Sequence, residues 1–523
     1  MSTRATQSPD YWGSRFTLSG DDRELLLNLF VEDEQPRRSD ELAQALIRHR
    51  VEREEATIRR KRQAQGTLYQ PKRAFQVDEQ VVFPALDFAV GRVAAVRPGH
   101  NPDVPVLFKV IQVAMDGGGV REFAAEFAGD HRLNDDAVLL SPTDELVPPE
   151  EIYARYKSPF VSHLRTLLQN SPEFVWLAGK WFPRSLLVQI NEGQLNIAEA
   201  ILDMNGGGPL PTEALLPELG LPAEVNRALQ IFSLNYALYT DDRFDEVGPA
   251  GEVLWFLNRL EPGDVINPPA WLKCAPLTVP SAALTPDLLR AERLIDDELS
   301  QLPAPDEPVS EVTFTLTYPH RRSGTVPLSP TMAHLFPSGR THRIRFQFED
   351  ARTGRRWPGW VVRERDYAFG LDTWYSANDV PAGAYIELRR GSEPGVVIVG
   401  LQGNRVRREW VRVAVLKDGR LTFEMLKRPI PCDYDEQMIV FVDDPLSIDK
   451  VWQQVNDRNT YMPDVLEQLL PELAKLSPQG NVHARTLYAA INLLRRTPPG
   501  PLFAALITQS KFRAMGDGYW LAR

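Results

Sequence analysis

The feature that most restricts what this chain can become is an alternation of apolar and polar residues with a period of two, running from Glu311 to Arg428. The runs are VTFTLTY, RIRFQFED, GWVVRE, YIELRRG, GVVIVG, EWVRVAVL and RLTFEML, most of them with polar partners on alternate positions. Successive side chains of an extended chain point to opposite faces, so these runs predict strands with one face buried. Their number and shortness predict a β-barrel or sandwich. The stretch is also basic. About 20 Lys and Arg stand against about 12 Asp and Glu, roughly +8, so within a net charge of −11 the remainder carries about −19.

The cations concentrate in turns and on one strand. Arg340, His342, Arg352, Arg355 and Arg356 fall between the runs, while Arg343 and Arg345 alternate with Ile344 and Phe346. That alternation predicts that the two arginines share the exposed face of one strand. Arginine is the preferred ligand of phosphate and of guanine, but an arginine-rich sheet face also serves solubility, and both readings stay open. Trp357, Trp360 and Trp374 are expected in the core, the alternative being stacking on exposed bases.

Leu335-Phe336-Pro337 before the basic strand, Arg355-Arg356-Trp357 in the next turn, and Tyr375, Val380 and Pro381-Ala382-Gly383-Ala384-Tyr385-Ile386 together resemble the plant B-three-type DNA-binding pseudobarrel and the related effector domain of a type II restriction endonuclease. The likeness spans about 90 residues. It implies a double-stranded DNA partner read in the major groove, with Arg340, Arg343, Arg345, Arg355 and Arg356 among the base-facing arms.

With 523 residues the chain exceeds what one core usually serves, so several domains are expected. Pro- and acid-rich stretches at Ser141–Glu151 and Leu302–Glu311 read as linkers, and β-rich sequence gives way to helical sequence near Asp443. The expected division is a helical, winged-helix-like domain at 15–66, a small barrel at 67–140, a helical domain at 158–299, the basic barrel at 311–445 and a last domain at 460–523. The fold class expected is multi-domain α+β, with winged-helix units and small β-barrels.

In the first block, Asp21-Asp22-Arg23-Glu24 opens a helix through Leu25, Leu26, Leu29 and Phe30. Ser39-Asp40-Glu41 caps a second, and a third, polar helix covers about Glu52 to Gln65 with Arg53, Arg59, Arg60, Lys61 and Arg62. That run reads either as a solvated face or as a phosphate-contacting helix. Tyr69 to Asn134 then shows five short strands, predicting a small closed barrel. With Gly91-Arg92-Val93 and Arg97-Pro98-Gly99 at strand and turn positions it resembles the SH3-like barrels of nucleic-acid-associated proteins.

Two segments recur. Gly206–Gly208, a short helix after Pro211, a helix from Ala223 to Tyr239, and a hairpin through Asp242–Gly248 into Val253–Leu257 give the order helix, helix, hairpin. The end of the chain repeats it, with a helix at Pro501–Ser510 running into KFRAMGDGYWLAR. Recurrence of this kind predicts duplicated units. Together with Val465, Leu466, Leu469, Leu487 and Ile491, that ending resembles the winged-helix HARE-HTH type, which includes the delta subunit of bacterial RNA polymerase. The likeness implies a nucleic-acid or transcription-linked role, or a protein partner bound through the winged helices.

Signatures of chemistry are few. GxSxG, HExxH and GxxxxGK[ST] do not occur, and His320, His334 and His342 lack zinc-site spacing, so neither a metal nor a cofactor is expected. Asp433, Asp435, Glu436, Asp443 and Asp444 form a carboxylate cluster near Lys427 and Lys450, and read as an acidic linker sooner than as a nuclease site. Cys274 and Cys432 belong to no CxxC pair and are expected as small buried residues. No apolar run approaches eighteen residues and Met1–Asp10 is polar, which predicts no membrane partner and a cytoplasmic location. The sequence reading is therefore a non-catalytic, DNA-binding protein, with a scaffold for transcription or defence machinery as the alternative and a nucleic-acid enzyme as the remote one.

Overall fold

A computed structural model describes the chain except residues 1–4, 9, 14, 64–65, 87, 102–105, 135–146, 277–281, 306, 308, 404 and 459, and it leaves the side chains of 58, 59 and 61–63 undescribed. Parts of the expected linkers (141–146, 306 and 308) therefore lie outside the described residues. The chain is mixed α+β with several separate sheets, and it divides into two compact bodies, Met1–Gln189 with Pro222–Ser233, and Ile190–Leu221 with Leu234–Arg523.

In the first body, helix α1 (Gly20–Asp33) starts from a capping box in which the Ser19 N–H donates to Asp22 Oδ2 at 2.8 Å and the Asp22 N–H donates to Ser19 Oγ. Helix α2 (Ser39–Gln63) joins the expected second and third helices into one, because its 25 residues contain neither Gly nor Pro to end it. Strands β1 (Thr67–Leu68), β2 (Gln80–Phe83), β3 (Ala89–Pro98), β4 (Lys109–Met115) and β5 (Val120–Ala125) form a sheet in sequence order around Tyr69, Phe83, Val93 and Ile111. The expected closure does not occur by strand pairing among the described residues. β1 is only two residues long; the ends meet instead through the Tyr69 hydroxyl, which donates to the Ala124 carbonyl at 2.7 Å, and through the Glu126 and Phe127 N–H groups, which donate to the Arg73 and Pro71 carbonyls at 2.9 and 2.8 Å.

Helix α3 (Pro149–Gln169) and the hairpin β6 (Phe174–Leu177) and β7 (Lys180–Pro183) return to α1 and α2. Phe160 meets Trp12 and Phe16 at 4.9 Å, Phe30 meets Phe182 at 5.5 Å, and Arg37 exchanges two backbone hydrogen bonds with Trp181. The 67–125 sheet is thus inserted between the second and third helices of one helix–helix–helix–hairpin unit.

The second body begins with α4 (Glu192–Met204), β8 (Leu210–Pro211), α5 (Thr212–Leu215), α6 (Arg227–Tyr239, its first turns in the other body), β9 (Phe244–Glu246) and β10 (Leu254–Leu257). The helix expected from Ala223 starts at Arg227. β8, β10 and β9 pair in that order, tied by Asn235, whose Oδ1 accepts from the Trp255 indole at 2.8 Å and from the Thr212 hydroxyl. After α7 (Gly263–Ile266) and α8 (Pro286–Ile295) come β11 (Glu311–Thr315), α9 (Tyr318–Ser323), β12 (Thr325–Pro327), β13 (Arg343–Asp350), β14 (Arg356–Val362), β15 (Tyr367–Phe369), α10 (Asp372–Ala377), β16 (Tyr385–Arg390) and β17 (Val396–Leu401). The seven strands form one sheet in the order β11-β16-β17-β13-β14-β15-β12, with β13 and β17 parallel. Ile344, Phe346, Phe348, Val361, Ile386, Leu388, Val397 and Val399 fill its core, as the period-two pattern requires.

A long hairpin, β18 (Arg407–Lys417) and β19 (Arg420–Ile430), pairs with the short β20 (Phe441–Val442). Helices α11 (Pro445–Asp457) and α12 (Met462–Ala474), strand β21 (Val482–His483), helices α13 (Ala484–Ile491) and α14 (Pro499–Thr508), and hairpin β22 (Phe512–Gly516) and β23 (Tyr519–Ala522) complete the chain. The last sheet runs β21-β23-β22, so the first short strand pairs with the second hairpin strand, as β8 does with β10 and Arg37 with Trp181.

This body holds a fully buried ionic cluster. Arg496, 0% exposed, donates to Asp297 at 2.8 Å and to Glu298 at 2.7 Å. The Tyr488 hydroxyl also donates to Asp297, and His320 faces Glu298 at 3.1 Å and Thr325 at 2.8 Å. Cys432 is buried as expected, whereas Cys274 is exposed, its Sγ 3.6 Å from the Arg496 carbonyl; the two are unpaired.

Candidate nucleic-acid interface

β13 decides where the predicted cations go. Its outward face is not free, because the β9–β10 hairpin packs over its start. The Arg345 N–H donates to the Val247 carbonyl at 2.9 Å, the Thr341 hydroxyl to the Glu246 carbonyl at 2.6 Å, and Gly339 approaches Gly248 so closely that a Cβ there would sit 2.7 Å from its oxygen. Arg343, only 25% exposed, bridges Asp245 at 3.1 Å and the wholly buried Glu261 at 2.5 Å. Burial, followed by the neighbouring Asp245 carboxyl, pushes Glu261 up to about 8 against the pull of Arg343. The Arg345 guanidinium lies 4.9 Å from the Trp360 ring centre and 5.2 Å from that of Phe256, in the corner made by two rings that meet edge to face. Burial lowers its pKa. The expected exposure of Arg343 and Arg345 is therefore corrected: the alternation is there, but a second layer covers it.

The remaining cations of this set separate to the two ends of β13. Arg340 and His342 are exposed at its start; burial raises the Glu246 carboxyl, and Arg340 lies close enough to oppose that rise without overcoming it. Arg352, Arg355 and Arg356 follow its end, and seven steps of about 3.3 Å put roughly 23 Å between the two groups. Asp350 builds the distal turn. It accepts from the Arg352 and Thr353 N–H groups at 3.0 and 2.6 Å, from the Thr353 hydroxyl at 2.8 Å, and from the Trp374 indole at 2.6 Å. Burial acts to raise the Asp350 pKa, but these hydrogen bonds win and lower it. Arg352 and Arg355 are exposed, and neither guanidinium has an ion-pair partner among the described residues. Arg356 is neutralised by Glu349 at 2.7 Å and Glu393 at 2.8 Å. Trp360 and Trp374 are buried, and Trp357 stacks on Phe348 and donates to the Gly370 carbonyl at 2.8 Å. In the first body Arg60 is exposed on α2, while the side chains of Arg59, Lys61 and Arg62 lie outside the described residues.

The distal turn abuts β17, since the Ala351 N–H donates to the Val399 carbonyl at 2.9 Å, and the chain leaves β17 at that end for the β18–β19 hairpin. This hairpin carries seven cations against three carboxylates, and apart from Arg420 at its tip, exposed and without a carboxylate partner among the described residues, they divide by face. On one face Arg407 pairs with Asp433 at 3.1 Å, Arg428 with Asp443 at 2.5 Å and Lys417 with Glu424 at 2.5 Å. On the other, Trp410 is 64% exposed directly opposite Lys427, with Arg408 two positions before it on the same strand. Arg408 and Lys427 are exposed and have no carboxylate partner among the described residues. Arg412, also on that face, is turned inward and donates to the Glu436 and Gln437 carbonyls at 2.6 and 2.7 Å. Burial brings it down to about 10. Trp410, Arg408 and Lys427 were not singled out by sequence reasoning, though the run EWVRVAVL places Trp410 opposite in phase to Val411 and Val413 and so predicts it outside.

The carboxylate cluster is spent on structure. Asp433 holds Arg407, Asp443 holds Arg428, Asp444 caps α11 at Ser447, and Asp435 accepts from the Gln437 and Met438 N–H groups and pairs with Arg485. Among the described residues no three His, Cys, Asp or Glu side chains are grouped to hold a metal, and no helix is long and apolar enough to cross a membrane. The chain matches no protein-family model, and comparison with curated proteins and with solved structures finds no match.

Proposed function

We propose that this protein binds nucleic acid through the distal end of the seven-stranded sheet and the adjoining β18–β19 hairpin. The observation that carries this reading is the contrast between neutralised and free cations. Arg343, Arg356, Arg407 and Arg428 are paired, while Arg352, Arg355, Arg408 and Lys427 project from neighbouring elements with no carboxylate partner among the described residues. Unpaired surface cations are what phosphate binding and counterion release require. The B-three-type likeness of 311–445 points to the same partner. We further read the three helix–hairpin segments as winged-helix units and the 67–125 sheet as an SH3-like barrel, on the strength of their shared strand order and their five-strand meander.

Anisotropy titration of labelled 20-mers with the full chain between 50 and 300 mM salt tests the reading. Arg352→Glu/Arg355→Glu is expected to weaken binding and to flatten the salt slope by about 0.9 for each duplex phosphate that is no longer neutralised. An affinity indifferent to salt and to both substitutions rejects it.

A second reading, a protein scaffold, is favoured by the helix–hairpin units themselves. Helix α14 carries no charged residue and α6 has Arg227 alone, so neither offers the cations of a DNA-reading helix. Beside α14 a groove of about 530 Å³ is lined by Leu289, Leu299, Leu302, Pro303, Pro498 and Ala504, with Leu294 59% exposed nearby. A stoichiometric protein partner lost on Leu289→Asp, with nucleic-acid affinity unchanged, would establish this reading.

A further inference from the structure

We infer that Trp410 is a stacking platform for an unpaired base, so that the strand this surface prefers is single-stranded nucleic acid. The inference rests on the nucleic-acid reading above and narrows it. Large aromatic side chains are ordinarily covered, and Trp12, Trp181, Trp255 and Trp360 are, each at 1% exposure or less. Among the described tryptophans Trp410 alone is exposed, at 64%, a degree that only Tyr239, at 61%, approaches among the described aromatics. Its face of the hairpin splits in two. Beyond Arg412, Ala414, Leu421 and Phe423 are buried, and that half is core. Before Arg412, Arg408, Trp410, Met425, Lys427 and Pro429 share a surface on which no described residue forms a covering layer.

The indole makes no ring or cation contact with any described residue, whereas Arg345, Arg50 and Arg165 each lie over an aromatic ring of their own body. Its flanking cations are equally uncommitted, although four acidic residues nearby, Asp433, Glu424, Asp443 and Asp435, satisfy cations on the other face and on α13.

An aromatic ring between two free cations fits one chemistry closely. A strand laid across the pair places phosphates on Arg408 and Lys427 and a base on the indole, which every base satisfies because each has a π-face. A duplex offers phosphates but keeps its bases stacked, leaving the indole against water or backbone. Charge alone would therefore serve both forms, and the tryptophan discriminates between them. Arg352 and Arg355, at the same end of the sheet, extend the cationic track beyond the platform.

The test uses the full chain with fluorescein-labelled oligo(dT) and oligo(U) 12-mers and a 12-base-pair duplex. Four proteins are compared: wild type, Trp410→Ala, Trp410→Phe, and Arg408→Glu/Lys427→Glu. All substitutions fall on exposed side chains, and an unchanged thermal unfolding curve confirms that each variant folds. Trp410→Ala is expected to weaken single-strand binding roughly 5- to 100-fold, the effect of removing one stacked base, while leaving the duplex alone. Trp410→Phe is expected to keep most of the affinity, and the charge reversal to weaken both forms. If the charge reversal abolishes binding but Trp410→Ala changes nothing, or if the duplex is preferred, the stacking inference is overturned and the nucleic-acid reading survives. If wild type binds none of the three probes, both fall together.

Discussion

Replacing Arg496 by Met is expected to be the most damaging single change in the second body. Arg496, Asp297 and Glu298 are buried to 0%, 1% and 4% exposure of their side chains. Two carboxylates there lean on one guanidinium. Methionine fills most of the space but leaves Asp297 with only the Tyr488 hydroxyl, while Glu298 retains His320 at 3.1 Å. Removing one partner of a buried pair costs about 3–5 kcal/mol, mainly because the surviving charge is stranded. At about 1.5 °C per kcal/mol for a body of about 320 residues, Tm should fall by roughly 4–8 °C. Guanidinium denaturation followed by tryptophan fluorescence reads the loss, and adding Asp297→Asn to the variant should return part of it, since the two substitutions touch one network. A variant within about 1 kcal/mol of wild type would refute the claim that this cluster depends on Arg496.

Three further outcomes are expected. Glu261 has a folded pKa raised above its unfolded value, so the stability it contributes is full below about pH 4.5 and is lost as pH rises through about 8; Glu261→Gln should flatten that decline in denaturation midpoints between pH 5 and 8. Asp350 is the opposite case, its lowered pKa contributing stability present above the unfolded value near 3.8 and lost as pH falls through the folded one. Asp350→Ala should cost about 2–3 kcal/mol, the range for hydrogen bonds to a charged acceptor, read as a lower urea midpoint. Burial raises both thiols, that of Cys432 to about 11, so access decides between them: buried Cys432 should resist a thiol reagent at pH 8 in the native chain while exposed Cys274 reacts, and one thiol per chain is labelled before unfolding and two after.

What was legible in the sequence follows a physical divide. Period-two runs depend on local burial, so RIRFQFED and YIELRRG became β13 and β16, with Ile344, Phe346, Ile386 and Leu388 inside. The same rule fails at Arg343 and Arg345, because exposure is decided by whatever packs above the strand, and the covering residues Val247, Phe256 and Glu261 lie some 80 to 100 positions earlier. The two recurring segments were visible because their elements are contiguous. Of the third, only the two helices within 15–66 read as winged-helix-like; its last helix and hairpin, with the Arg37–Trp181 pairing, were hidden behind the inserted sheet. Charge counting located the basic region but not its sorting by face, which depends on which carboxylate each cation meets. Trp410 was within reach of the alternation argument, and the pull of Trp357, Trp360 and Trp374, all better placed for a core, obscured it.

That interrupted first unit sets an order of events on the ribosome. Ser39 and Trp181, joined by a 3.0 Å hydrogen bond, are separated by 142 residues. At about 5–20 residues per second, the apolar faces of α1 and α2 wait roughly 7–28 s for the hairpin that covers them. The intervening sheet, whose strands pair only with sequence neighbours, can form during that interval. The nascent chain therefore carries, for that interval, an uncovered helical pair tethered to a sheet that is already complete.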